Sequence, residues 1–130
     1  MDVPETPLFA VNVFACLDAV RPASGGTMIV RGSHKLVRRY LDGLPPGVPR
    51  RRAAAQFAAD HPWLVKPTTD PLIGATFDDK DPDLKIEEFT GEPGDVIVTH
   101  PWTLHAGASN TGTRPRMMLR HRILRGETLR

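Results

Sequence analysis

Hydrophobic and polar positions alternate in short runs separated by turn-forming residues, a punctuation that suits strands joined by tight reversals rather than a helix bundle. The longest apolar run, residues 8–17, is rich in β-branched and aromatic side chains and is bounded by Pro7 and Asp18. It predicts a strand buried on both faces. Ser24-Gly25-Gly26 predicts a tight turn, because glycine adopts the positive φ that such a reversal needs. Residues 27–30 then return as a second strand ending at Gly32-Ser33. Residues 34–42 and 50–60 carry helical composition, split by Leu44-Pro45-Pro46-Gly47, and residues 61–83 read as a long surface loop. Further strands are predicted at 85–89, 95–99 and 116–124, with turns at 91–94 and 110–112. The pattern as a whole predicts an all-β sandwich or jelly roll with a helical insertion.

Composition narrows this picture. A length of 130 residues suits one domain, and 40% apolar with 25% charged residues is ordinary for a globular chain. No window approaches eighteen unbroken apolar residues, which excludes a predicted spanning helix. The first twenty residues carry Asp2 and Glu5 and lack a basic start, so no secretory signal is read and a cytoplasmic location is expected. The single cysteine, Cys16, can form neither an internal disulfide nor a cysteine-based zinc site. Charge is segregated: seven basic residues against one acid between Arg31 and Arg52, then ten acids against three lysines from Asp60 to Asp95. No aromatic residues are interleaved with the basic block. It therefore reads as a solvated face or a site for an anionic small molecule, not for nucleic acid.

Five histidines are present: His34, His61, His100, His105 and His121. His105 precedes the small residues Ala106, Gly107, Ala108 and Ser109, where a strand end can open onto a cavity. Arg116 follows eleven positions later, across the Asn110-Thr111-Gly112 turn. An imidazole and a guanidinium so spaced suit a metal ligand and a carboxylate clamp, since guanidinium matches carboxylate bidentately. An ordinary hairpin with a surface arginine has the same spacing. Strand parity puts Arg116 with Met118, Arg120 and Arg122 on one face, which is either a cavity face or a solvent face.

Three stretches then act together: Asn12-Val-Phe-Ala-Cys-Leu-Asp-Ala-Val20, Gly25-Gly-Thr-Met-Ile-Val-Arg-Gly-Ser-His-Lys35, and the segment from Gly94 through His105-Ala-Gly107 to Asn110 and Arg116. In this order they resemble the phytanoyl-CoA dioxygenase family of iron(II)- and 2-oxoglutarate-dependent oxygenases. The resemblance implies the C-terminal part of a double-stranded β-helix (jelly roll, cupin-like). It would form a single domain over residues 1–130 with an insertion at about 35–83. It implies Fe(II) and 2-oxoglutarate as cofactors, and a small-molecule substrate and molecular oxygen as partners, with no nucleic acid and no membrane. Hydroxylation is the implied outcome.

By position, the resemblance makes His105 the distal iron ligand, Arg116 the partner of the far carboxylate of 2-oxoglutarate, and Phe14 part of the cosubstrate pocket. Asp2 falls where the family has its carboxylate ligand. His34 and His100 match positions that are not ligands, and Thr27 and Asn12 are further polar groups of the pocket. The family's His-x-Asp pair needs a histidine two positions before Asp2, so the resemblance implies an N-terminally truncated chain with that ligand ahead of Met1. Without N-terminal partners, the strand at 8–17 is expected to form an apolar sheet edge and promote self-association. Two other readings stand beside this one. A non-catalytic jelly-roll binding module is favoured by the missing His-x-Asp. A zinc site on His100 and His105 has to overcome their opposite strand parity. Family members act on acyl thioesters, osmolytes, alkaloids and natural products, and the basic segment from Arg38 to Arg52 admits an anionic substrate group.

Overall fold

The computed structural model describes residues 9–64 and 84–125. Six strands are present: β1 (Ala10–Cys16), β2 (Thr27–Arg31), β3 (Lys85–Phe89), β4 (Val96–Thr99), β5 (His105–Gly107) and β6 (Met118–Leu124). Two helices, α1 (Ser33–Asp42) and α2 (Arg50–Asp60), and a 3-10 turn at Pro62–Leu64 lie between β2 and β3. The strands form two antiparallel sheets, in the orders β4-β1-β6 and β3-β2-β5. The structure is thus mostly β with two helices. Most of the 61–83 segment read as a loop lies outside the described residues, as does Asp2.

The apolar run at 8–17 behaves differently from expectation in two respects. It is the central strand of its sheet, paired with β4 on one side and β6 on the other, so it is not an edge. Nor is it buried equally on both faces. Ala10, Asn12, Phe14 and Cys16 are buried, whereas Val11, Val13 and Ala15 are half-buried. The alternation has a simple origin: successive side chains of a strand point to opposite faces, and only one face of this sheet is covered by the other sheet. Phe14 packs its ring on His105 of β5 at 5.1 Å between centroids, and the Thr27 hydroxyl of β2 lies 3.8 Å from the Met118 sulfur of β6.

A further apolar cluster sits on the far side of β2. Met28 and Val30 on the opposite face of β2 join Leu84 and Ile86, and Leu36 of α1, Trp63 and Leu104 pack onto them. The turn into β2 is held by sterics and by one carboxylate. A Cβ at Gly26 would meet the Phe89 carbonyl oxygen at 2.6 Å. The Glu88 carboxylate accepts the backbone N–H groups of Ala23 and Gly26.

The Gly32-Ser33-His34 turn couples the two halves of the chain. Gly32 takes φ +81°, a conformation glycine adopts without strain, and α1 starts there. The buried Ser33 hydroxyl oxygen accepts the Leu104 backbone N–H at 2.8 Å. The start of α1 is thereby tied to the residue just before His105.

Candidate functional site

The space between the sheets is lined by the inner row of each strand, because directly opposed residues of an antiparallel pair share a face. Along β1 the row runs Cys16, Phe14, Asn12, opposed on β6 by Met118, Arg120 and Arg122. The polar parity row of the last strand is therefore the row on the side of the other sheet. On that second sheet, His105 stands opposite Ile29 and Gly107 opposite Thr27. His105 and Arg116 thus do not belong to one hairpin. The chain leaves β5 in one sheet and enters β6 in the other, so the two residues approach the inter-sheet space from opposite walls.

His105 has a defined tautomer. Its Nδ1 lies 3.0 Å from the Thr103 carbonyl oxygen, which can only accept, so Nδ1 carries a proton and, in the neutral ring, Nε2 has the lone pair. That is the form in which an imidazole binds a metal, with its other nitrogen donating to a backbone carbonyl. The edge of Phe14 against the ring restricts its orientation.

His100 is in the opposite state. Its Nδ1 accepts the Trp102 backbone N–H at 3.1 Å, which leaves the proton of the neutral ring on Nε2. Its ring lies 5.2 Å from that of His34. A zinc site shared by His100 and His105 is disfavoured, since a ring whose lone pair is already engaged presents a donor to its surroundings. Burial, and then the Arg38 and Lys35 charges, hold both rings below the ordinary histidine range: for His100 burial comes first, followed by His34 and Arg38, and for His34 burial is followed by Lys35.

Arg116 precedes β6 with its guanidinium 3.4 Å from the buried Thr27 hydroxyl and 3.5 Å from the Met118 sulfur. Nearby arginines are neutralised, Arg114 by Asp18 and Arg21 by Glu92. Among the described residues no carboxylate pairs with Arg116. Phe14 lies on the wall between Arg116 and Asn12, in contact with His105.

Two features were weakly signalled by sequence. Asn12 is a polar residue inside an apolar run. It is fully buried, with its Oδ1 accepting the Arg122 Nε–H at 3.1 Å and its Nδ2 without a partner among the described residues. Thr99, opposite Asn12 in the β1–β4 register, also buries a hydroxyl with no partner among the described residues. Thr99 and Arg122 were legible only as strand residues, since their convergence on Asn12 depends on the pairing register.

Among the described residues no group of three His, Cys, Asp or Glu side chains is arranged to hold a metal ion. His105 fits one position of a metal centre; the described residues do not make a whole one. A family profile described as Phytanoyl-CoA dioxygenase (PhyH) matches residues 4–118. The chain belongs to the phytanoyl-CoA dioxygenase family. No curated protein gives a significant match. The matched segment includes Phe14, His105 and Arg116, and Asp2 lies before it. Family membership points to a dioxygenase-type function with a small-molecule substrate and oxygen, and the family generally depends on iron(II) and 2-oxoglutarate. No helix of the described residues is long and apolar enough to cross a membrane.

Proposed function

We propose that this chain serves as an iron(II)- and 2-oxoglutarate-dependent dioxygenase of the phytanoyl-CoA dioxygenase type, hydroxylating a small organic or acyl substrate on a single double-stranded β-helix domain. The observation that carries the reading is the orientation of His105, whose Nδ1 is bound to the Thr103 carbonyl, eleven residues before an arginine with no carboxylate partner among the described residues. His105 through Nε2 and Asp2 through its carboxylate are the proposed iron ligands of a two-histidine, one-carboxylate set. Bound iron would supply the activation of oxygen, coupled to conversion of 2-oxoglutarate to succinate and carbon dioxide.

The chain's own residues then bind, orient and exclude. The Arg116 guanidinium offers paired N–H donors to the far carboxylate of the cosubstrate, with the Thr27 hydroxyl beside it. Phe14 walls the pocket and keeps water from the His105 face. The Thr103 carbonyl fixes the tautomer on which ligation depends.

A second reading, a non-catalytic binding module, is favoured by the single metal ligand among the described residues. Anaerobic titration with iron(II), followed by 2-oxoglutarate, separates the two. In a chain that carries the His-x-Asp histidine, the catalytic reading expects stoichiometric iron and a weak visible charge-transfer band, both lost in His105→Ala and kept in His100→Ala. No iron binding by a chain that carries that histidine would leave the binding module as the better account.

A further inference from the structure

On the far side of His105 from Arg116, the inner rows end in a second cluster of polar groups. Position along the strands sets the order: Arg116 reaches Thr27, His105 stands opposite Ile29, and Arg31 lies beyond, each step two residues or roughly 7 Å along β2. A cavity of about 460 Å³ opens at this end, with His34, His100, Thr99, Thr103, Ile29 and Arg31 in its wall. Apart from Thr103, whose carbonyl orients His105, none of these residues has a role in the proposed iron and cosubstrate chemistry.

The hydrogen-bonding capacity of the cluster is biased toward donors. The Trp102 N–H occupies His100 Nδ1, so the neutral ring has only an N–H left to offer. The Thr99 hydroxyl is buried and has no partner among the described residues. Buried polar groups without partners are rare in folded proteins, and such a group next to a cavity points to a ligand or an ordered water. One layer away, the Asn12 amide nitrogen is in the same condition.

The charges acting here are mostly positive. Lys35 and Arg38 of α1 act on His34 and His100, and both depress protonation of the rings. Arg38 is itself 3.6 Å from Asp42. The acid in the wall on β3, Glu87, is shared by Arg31 at 3.3 Å and Lys85 at 3.7 Å, and so is already compensated. Glu88, which also lines the cavity, spends its carboxylate on the Ala23 and Gly26 N–H groups.

We infer that this cavity is the substrate subsite, and that His34, His100 and Thr99 receive a carboxylate group of the substrate on the side of His105 opposite the cosubstrate clamp. The assignment as substrate rests on the dioxygenase reading; the assignment as a carboxylate site does not. Two neutral imidazoles under a positive field gain a favourable partner when an anion arrives, and by linkage that anion raises their proton affinity. A neutral amide of the same shape gives no such gain.

The test uses ¹³C-labelled histidine in the full chain, with benzoate as the carboxylate probe and benzamide as its neutral counterpart. Benzoate is expected to raise the apparent pKa of His34 and His100 saturably, and benzamide to leave both unchanged. His100→Ala and, separately, Thr99→Val should weaken benzoate about tenfold or more, the loss of one charge-assisted hydrogen bond, while Arg116→Ala should not. Thr99→Val differs little in shape, so it keeps the test valid if the histidine variant folds poorly. Absence of a saturable shift, an equal response to benzamide, or a response abolished by Arg116→Ala would each overturn the inference. Benzoate binding with these properties in a chain that takes up no iron would keep the carboxylate site and remove only its catalytic setting.

Discussion

The outer face of the β3-β2-β5 sheet is packed by Leu36, Trp63 and Leu104, and its Val30 and Ile86 are 7% and 6% exposed. The outer face of β4-β1-β6 carries side chains of the same kind, yet Val98 is 60% and Leu119 56% exposed. Val13 pairs with Val98, and Ala15 with both Val96 and Leu119, so these exposed positions are contiguous across the sheet. Between the sheets the pattern reverses, with Asn12, Thr27, Thr99 and His105 on inward-facing rows. Apolar burial is thus found on one outer side and, through Ala10, Phe14, Cys16 and Ile29, between the sheets, while the other outer side stays open. The inter-sheet space, where a sandwich ordinarily keeps its apolar core, mixes these polar groups with the buried Phe14, Cys16 and Ile29. If the polar groups bind, stability and ligand handling are expected to be separable.

The largest expected effect tests that separation directly. Arg116→Ala should raise the 2-oxoglutarate requirement by an amount equivalent to roughly 2–5 kcal/mol, by analogy with desolvated charge pairs, while the thermal midpoint stays close to that of the unaltered chain. A large loss of stability would show that the guanidinium is structural. Ile86→Ala should do the reverse. It should cost about 2–4 kcal/mol in denaturant unfolding, because it empties part of the closed core, and Leu119→Ala should cost less than about 0.5 kcal/mol. Equal costs at Ile86 and Leu119 would mean that the open face is covered in solution.

A smaller effect is expected at the turn that sets β2 against β3. Gly26→Ala places a methyl against the Phe89 carbonyl, and overpacking of that kind costs about 1–3 kcal/mol. Urea unfolding measures it, and a neutral result would show that the two strands can separate locally.

The smallest effect is pH-dependent. His34 and His100 titrate below their ordinary value in the folded chain, burial being the first cause for each. The unfolded chain therefore binds more protons near and below pH ~6.5. Their contribution to stability is complete above that pH and is lost as pH falls through it toward the lower folded values. His34→Asn should flatten the decline between about pH 6.5 and 5, read from unfolding midpoints across that interval. An unchanged slope would place the titrating groups elsewhere.

Much of the secondary structure was legible in the chain itself. Gly25-Gly26, Pro45-Pro46-Gly47 and Gly91-Glu92-Pro93-Gly94 break the backbone wherever they occur, so strands and helices fall between them with little dependence on context. The three-residue strand at His105–Gly107 was not legible, because so short a segment is a strand only through its pairing with Thr27, Met28 and Ile29. The likeness of His105 and Arg116 to family positions was equally available from sequence, since both sit in a fixed order relative to turn residues.

The tertiary structure alone decided what those residues face. Strand parity offered Arg116, Arg120 and Arg122 either a cavity or solvent. The pairing of β6 with Cys16, Phe14 and Asn12 puts Arg120 and Arg122 on the side of the other sheet, and all three arginines remain solvent-exposed. It made the apolar run at 8–17 a central strand with one open face instead of an edge. It also set the tautomers of His100 and His105, five positions apart, in opposite senses through the Trp102 N–H and the Thr103 carbonyl. A strand's periodicity tells which residues share a face. Which face becomes an interior depends on partners distant in the chain, and so does which nitrogen of a histidine keeps its proton.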